Sequence, residues 1–231
     1  FLQAEDGIRI YQCDWSSDVC SSDLGQVLAA TGLVVIFAFF SIMRPVFHEW
    51  QNISNILMST TVTGLLALGV TFVIITGGID LSIGTSMTLS AVMVGKIVVV
   101  NNLPLWMGVV GGVLTGALVG LVNGVLITAL KLPPFIATLA TMKAAQGLAL
   151  ISSHLAPIQF GGSQADHWTK LAQGNIVPSL PNAVLILAGA AIIAGIILNK
   201  TIIGRYTFAI GSNMEATKLS GVKVNRWLII I

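Results

Sequence analysis

Between Ile56 and Thr76 the chain runs for 21 residues without a charged side chain, and this run limits what the polypeptide can become. As an α-helix it would be about 32 Å long, enough to cross the hydrocarbon core of a bilayer. Backbone in that environment must satisfy its own hydrogen bonds, and a run without strand-like alternation does so as a helix. Similar apolar runs cover residues 27–43, 83–100, 105–130, 135–152 and 182–198, with one lysine each in the second (Lys96) and fourth (Lys143), and another opens at Trp227. The expected fold is an all-α polytopic membrane protein: a transmembrane helix bundle over residues 25–231, with a seventh span cut short at Ile231. The chain is 55% hydrophobic and 9% charged, with a mean hydropathy of +0.92, which excludes a soluble core of ordinary composition.

The net charge of +2 hides an uneven distribution. Glu5, Asp6, Asp14, Asp18 and Asp23 all fall in residues 1–24, together with Arg9 and both cysteines, Cys13 and Cys20. Beyond them the chain carries ten basic and four acidic side chains, a balance of +6. Residues 1–24 lack the basic start and apolar run of a secretory signal. They resemble translated sequencing-adapter read-through, and are expected to be a foreign or disordered tail outside the membrane domain. The basic excess that remains concerns topology and lipid, not nucleic acid. Lys131, Lys200, Arg205, Lys218, Lys223 and Arg226 fall on one side of the expected membrane, against Arg44 and Lys170 on the other, so the six-residue side is cytoplasmic.

Polar residues inside this apolar chain mark the places with chemistry. After the second span comes GGIDLS, residues 77–82. Gly77 and Gly78 weaken a helix, while Asp80 and Ser82 can bond backbone groups that a break sets free. Such a carboxylate is either solvated at the membrane edge or held in a helix break lining a protein interior, and the break is the reading favoured. Gly108, Gly112, Gly116, Gly120 and Gly124 recur every fourth residue in the fourth span. Each step turns the helix by about 40°, so the ladder winds through roughly 160° and cannot face one neighbour. Close packing is its expected role. Asn123 in the same span could face a polar path or bond a neighbouring helix. The fifth span contains Thr138, Thr141, Lys143 and Gln146. Lys143 and Gln146 lie three apart, on one helical face, and a charge there should meet protein or water. Asp166 and His167 have no third ligand spaced nearby, so a solvated loop is expected and no metal or cofactor site.

Between the sixth and seventh spans lies the long polar stretch 204–224. Ser212 stands three residues before Glu215, the spacing of a capping box, and Gly221 stands where a left-handed C-cap would end the helix. A short polar helix of roughly eight residues, about 12 Å long, is expected.

The wording of these segments resembles the permease subunits of ribose-type sugar importers driven by ATP-binding cassettes. The resemblance rests on GGIDLS, on Asn123–Gly124, on PFIATL from Pro134, and on the stretch carrying Gly204, Arg205, Ala209, Gly211, Asn213, Ala216, Leu219, Ser220 and Gly221. It implies a bacterial inner-membrane permease paired with a second permease chain, two cytoplasmic ATP-binding subunits and a periplasmic sugar-binding protein, with membrane lipid around it. Asp80, Ser82, Asn123, Thr138, Thr141, Lys143 and Gln146 would line the substrate path. Gly204, Arg205, Gly211, Ser212, Asn213, Met214, Glu215, Ala216, Leu219, Ser220 and Gly221 would form the coupling element. One departure stands out: Gln146 precedes Gly147 where such permeases often have arginine, and the nearby charge is Lys143.

The chain has no GxxxxGK[ST] phosphate loop, so ATP hydrolysis would belong to a partner. A permease for branched-chain amino acids or another small solute is the nearest alternative. An ion-coupled secondary transporter would use Asp80 and Lys143 as coupling residues and should show an inverted repeat. A membrane enzyme would need a nucleophile, base and orienting group together, which the sequence does not offer.

Overall fold

The computed structural model describes residues 15–159, 174 and 180–231. Asp166, His167 and Lys170 lie outside them, as do residues 1–14. The chain divides into two units, Phe1–Asn55 and Ile56–Ile231.

In the first unit, helix α1 (Trp15–Met43) begins inside the acidic stretch, earlier than the span expected from residue 27. A 3-10 turn, Pro45–His48, follows it. The turn places the Phe47 ring 5.3 Å from Phe37 and 5.5 Å from Phe40. Asn52 Nδ2 donates to the Phe47 carbonyl at 2.8 Å, so the chain is tied down where it leaves the turn.

Helix α2 (Trp50–Ile75) leads into the second unit, followed by α3 (Ile83–Gly95), α4 (Leu105–Thr128), α5 (Pro134–Ser152) and α6 (Asn182–Lys200). Residues 96–100 continue α3 as one wider π-helical turn. Among the described residues, α2, α3 with its π turn, α4, α5 and α6 are long and apolar enough to cross a membrane, while Val27–Met43 is a shorter apolar helix. Prolines fix several starts: Pro104 and Pro133 precede the first turns of α4 and α5, where a missing N–H costs nothing. Three short helices complete the unit: α7 (Ile202–Ser212), α8 (Met214–Leu219) and α9 (Val224–Ile230).

Burial follows membrane logic. Most of the enclosed residues are small or polar, including Ala137, Thr138, Thr141, Ala145 and Ala149 on α5, with Leu89, Val98, Ile210 and Val224 as larger exceptions, whereas many large aliphatics such as Val113 and Ile151 point outward. Without water there is no advantage in hiding leucine, so close contact between backbones and internal polar bonds decide which face turns inward. The core lies where α3, α4 and α5 meet, around Leu89, Ala145 and Ala149, with Val92, Met93 and Val119 packed against them.

The glycine ladder divides between neighbours, as its winding requires. A Cβ on Gly108 would stand 2.4 Å from Val98 Cγ2, and one on Gly112 would stand 2.6 Å from Val94 Cγ2, so this end of the ladder seats α3. At the other end, a Cβ on Gly124 would stand 3.0 Å from the Ile229 Cα, so Gly124 seats α9.

Candidate functional site

The site begins where α2 stops. Gly77 has φ +77°, its N–H bonds the Ile74 carbonyl at 2.9 Å, and the Gly78 N–H bonds the Val73 carbonyl at 3.0 Å. This pair of bonds is a Schellman ending, which requires a left-handed residue and therefore favours glycine. Five residues later α3 starts, and Asp80 organises the start. Its Oδ1 accepts the Ser82 backbone N–H at 2.7 Å and the Ser82 hydroxyl at 2.7 Å. A carboxylate at the amino end of a helix is further stabilised by the aligned peptide dipoles.

Ser82, 1% exposed, carries the bonding inward. Asn123 of α4 donates from Nδ2 to Ser82 Oγ at 2.8 Å, and the Thr141 hydroxyl of α5 donates to Asn123 Oδ1. The chain Thr141, Asn123, Ser82, Asp80 thus has one direction, every donor pointing towards the carboxylate. It links three helices through buried groups that would each be costly to leave unpaired. The Thr138 hydroxyl lies 3.2 Å from the Ile79 carbonyl and 2.8 Å from the Pro134 carbonyl, holding the break against the start of α5.

A cavity of about 630 Å³ opens at this break, with Thr76, Gly78, Asp80, Asn123, Thr138 and Met214 among its walls. A second space of about 270 Å³ shares Asp80 and Asn123 with the first and is bordered by Ser82, Ser86 and Ser90. Asp80 and Asn123 of the polar chain therefore border both spaces. Ser86 and Ser90 repeat the fourfold spacing that begins at Ser82, a signal legible in the sequence but not singled out there.

Five of the seven residues expected along a substrate path, namely Asp80, Ser82, Asn123, Thr138 and Thr141, are brought together. Lys143 and Gln146 are not. Both are exposed on α5, because residue 143 lies about 200° around the helix from residue 141. Gln146 borders a separate space of about 390 Å³ with Thr85 and Thr88. Among the described residues no three His, Cys, Asp or Glu side chains are grouped as metal ligands.

The expected coupling helix forms with a different cap. Ser212 is the last residue of α7, and its hydroxyl donates to the Ala209 carbonyl at 3.0 Å. Asn213 takes the cap position with φ −160° and ψ 101°, and its Oδ1 accepts the Ala216 N–H at 2.9 Å. The Ser212–Glu215 capping box is thus displaced by one residue, because α7 runs further than a loop would and consumes Ser212. The helix that follows has six residues, fewer than the roughly eight expected. Gly221 does adopt the left-handed ending, with φ +88°. Replacing Asn213 by Ala should cost about 0.5–2 kcal/mol, whereas Ser212→Ala should stay within about 0.5 kcal/mol. Thermal unfolding of the two variants in detergent checks the order, and a larger loss at Ser212 would contradict this cap.

Thr217 is the buried residue of α8, and its hydroxyl lies 2.8 Å from the carbonyls of both Ala209 and Asn213. It locks α8 back onto α7. The remaining face is open: Met214 is 41% and Leu219 87% exposed.

An internal polar chain bridging membrane-length helices, with a cavity at the break after α2, belongs to a multi-pass protein of the bacterial inner membrane. The chain belongs to the family described as branched-chain amino acid transport system / permease component, whose model matches residues 52–231. It is 38% identical over 200 residues to a ribose import permease protein of Bacillus subtilis, covering 87% of this chain and 61% of that protein. The ribose import permease protein of Haemophilus influenzae is 35% identical, at 86% and 61% coverage. The L-arabinose transport system permease protein of Escherichia coli is 35% identical over 215 residues, at 91% and 64% coverage. The chain thus spans somewhat less than two thirds of the length of these relatives. No solved structure matches it.

Proposed function

We propose that the protein is the permease subunit of an ATP-driven importer that carries a monosaccharide, ribose or a related sugar, across the bacterial inner membrane. The observation that carries the reading is the polar chain at the helix break, with Asp80, Asn123 and Thr138 on a cavity of about 630 Å³ in an otherwise apolar bundle. A hydroxyl-rich solute can use such fixed donors and acceptors. The relatives named above take pentoses, which supports the same choice over the amino acid named in the family description.

In this reading the chain supplies the path and the partners supply the energy, so it is a transport component and not an enzyme. Two ATP-binding subunits on the cytoplasmic side, a second permease chain and a periplasmic sugar-binding protein complete the assembly. The exposed face of α8, with Leu219 at its end, is the surface that meets an ATP-binding subunit. ATP binding there can favour one orientation of the path only through contacts that differ between the two orientations.

Uptake of labelled ribose and L-arabinose by cells expressing the full-length protein with its partners tests this. Uptake should continue when a protonophore collapses the ion gradient while ATP is maintained, and loss under those conditions would replace the reading with ion-coupled transport. Leu219→Asp, which puts a charge where an apolar anchor is proposed, should leave the helices inserted and abolish ATP-coupled uptake. Normal uptake in that variant would remove α8 from the docking surface.

A further inference from the structure

The residues that the resemblance assigns to the coupling element include two glycines of α7 that the structure uses internally. A Cβ on Gly204 would stand 1.9 Å from the Leu198 carbonyl oxygen of α6, and a Cβ on Gly211 would stand 1.9 Å from the Ile75 carbonyl oxygen of α2. Neither obstacle is a side-chain end that could swing aside; both are backbone. Helix α7 is therefore a strut seated at one end on α6 and at the other on the last turn of α2, directly before the break.

The elbow beyond Gly211 is stiff. Asn213 caps α8, and Thr217 ties α8 to the Ala209 carbonyl. Met214, the first residue of α8, lines the same cavity as residues 76–80. The segment receiving the strut is held differently at its two ends. Asp80 is fixed to the start of α3 through Ser82, whereas residues 75–78 turn on the left-handed Gly77.

We propose that Gly211 is a positioning residue: the α7–α8 elbow bears on the Ile75 carbonyl there and sets the geometry of the break that carries Asp80. A push on α8 is thereby delivered to the wall of the substrate cavity without passing through the glycine-packed seam between α3 and α4. The importer reading supplies the source of that push; the contact and its effect on the break do not depend on it.

The test uses the full-length protein with its native cysteines replaced by Ser; residues 25–231 contain none. Ile79, 52% exposed and on the cavity wall, is replaced by Cys as a reporter of the break. Adding Gly211→Ala should change the reaction rate of that thiol with a small charged reagent by about fivefold or more. Leu219→Asp should not change it in the absence of ATP. An unchanged rate with Gly211→Ala overturns the proposal. If Gly211→Ala fails to insert, the pair Met214→Cys and Ile79→Cys on the Gly211 background is joined with a short bifunctional thiol reagent. Cross-linking should stop uptake while ATP hydrolysis continues. Uptake that persists with the link in place, or a pair that does not cross-link, overturns the proposal as well. A break that responds to Gly211→Ala in a protein showing no ATP-driven uptake would keep this inference and remove the importer reading.

Discussion

Asp80→Leu should abolish uptake, whereas Asp80→Asn should keep much of it. Oδ1 of Asp80 takes both the N–H and the O–H of a serine that is 1% exposed. Leucine leaves both donors without this acceptor, at about 1–3 kcal/mol for each buried group left unpaired. Asparagine keeps an oxygen of the same reach. It exchanges bonds to a carboxylate for bonds to a neutral amide, a loss of about 1–2 kcal/mol over the pair. Transport rates of the two variants, measured beside their unfolding temperatures, separate structure from charge. Equal and complete loss in both would assign Asp80 a role that requires ionisation, as in proton coupling.

Asn123→Asp should be more damaging than Asn123→Ala, although it is closer in shape. The direction of the polar chain is the reason. Asn123 accepts from Thr141 and donates to Ser82, and a carboxylate can do only the first. It would also stand one hydroxyl away from Asp80, and two like charges about 5 Å apart repel by about 3 kcal/mol at an effective dielectric of about 20. Alanine leaves a gap between two existing cavities, where water can serve the freed groups. The check is the yield of folded protein and the uptake rate for both variants. An Asn123→Asp protein as stable and active as the parent would mean that Asn123 does not donate to Ser82.

These expectations rest on residues whose importance was partly legible before any coordinates. Asp80, Ser82, Asn123, Thr138 and Thr141 stand out because a polar side chain in an apolar span needs a reason. What the spacing could not supply is that they bond in one line. Asn123 and Ser82 are 41 residues apart, and only the packing of α4 on α3 makes them neighbours. Lys143 attracts attention for the same reason as Thr141, yet the helix turns it to another face. The cap of α8 lies one residue beyond Ser212, because Ser212 and Asn213 are both good caps and the choice depends on how far α7 extends. That extension is set by contacts of Gly204, Thr207 and Ile210, the buried residues of α7.

The sequence by itself determined the class and located the five helices long and apolar enough to cross a membrane among the described residues. Apolar runs of this length without strand-like alternation satisfy their backbone in a bilayer as helices. It also determined where the second helix ends, since Gly77 and Gly78 act locally, on φ and on the nearest turn. The tertiary structure alone decided what the glycines touch and which polar groups meet. Gly211 reads in the sequence as a small residue in a polar stretch, but in the fold it is the point where one helix rests on the backbone of another. Contacts of that kind depend on the crossing of helices far apart in the chain, and no local preference encodes them.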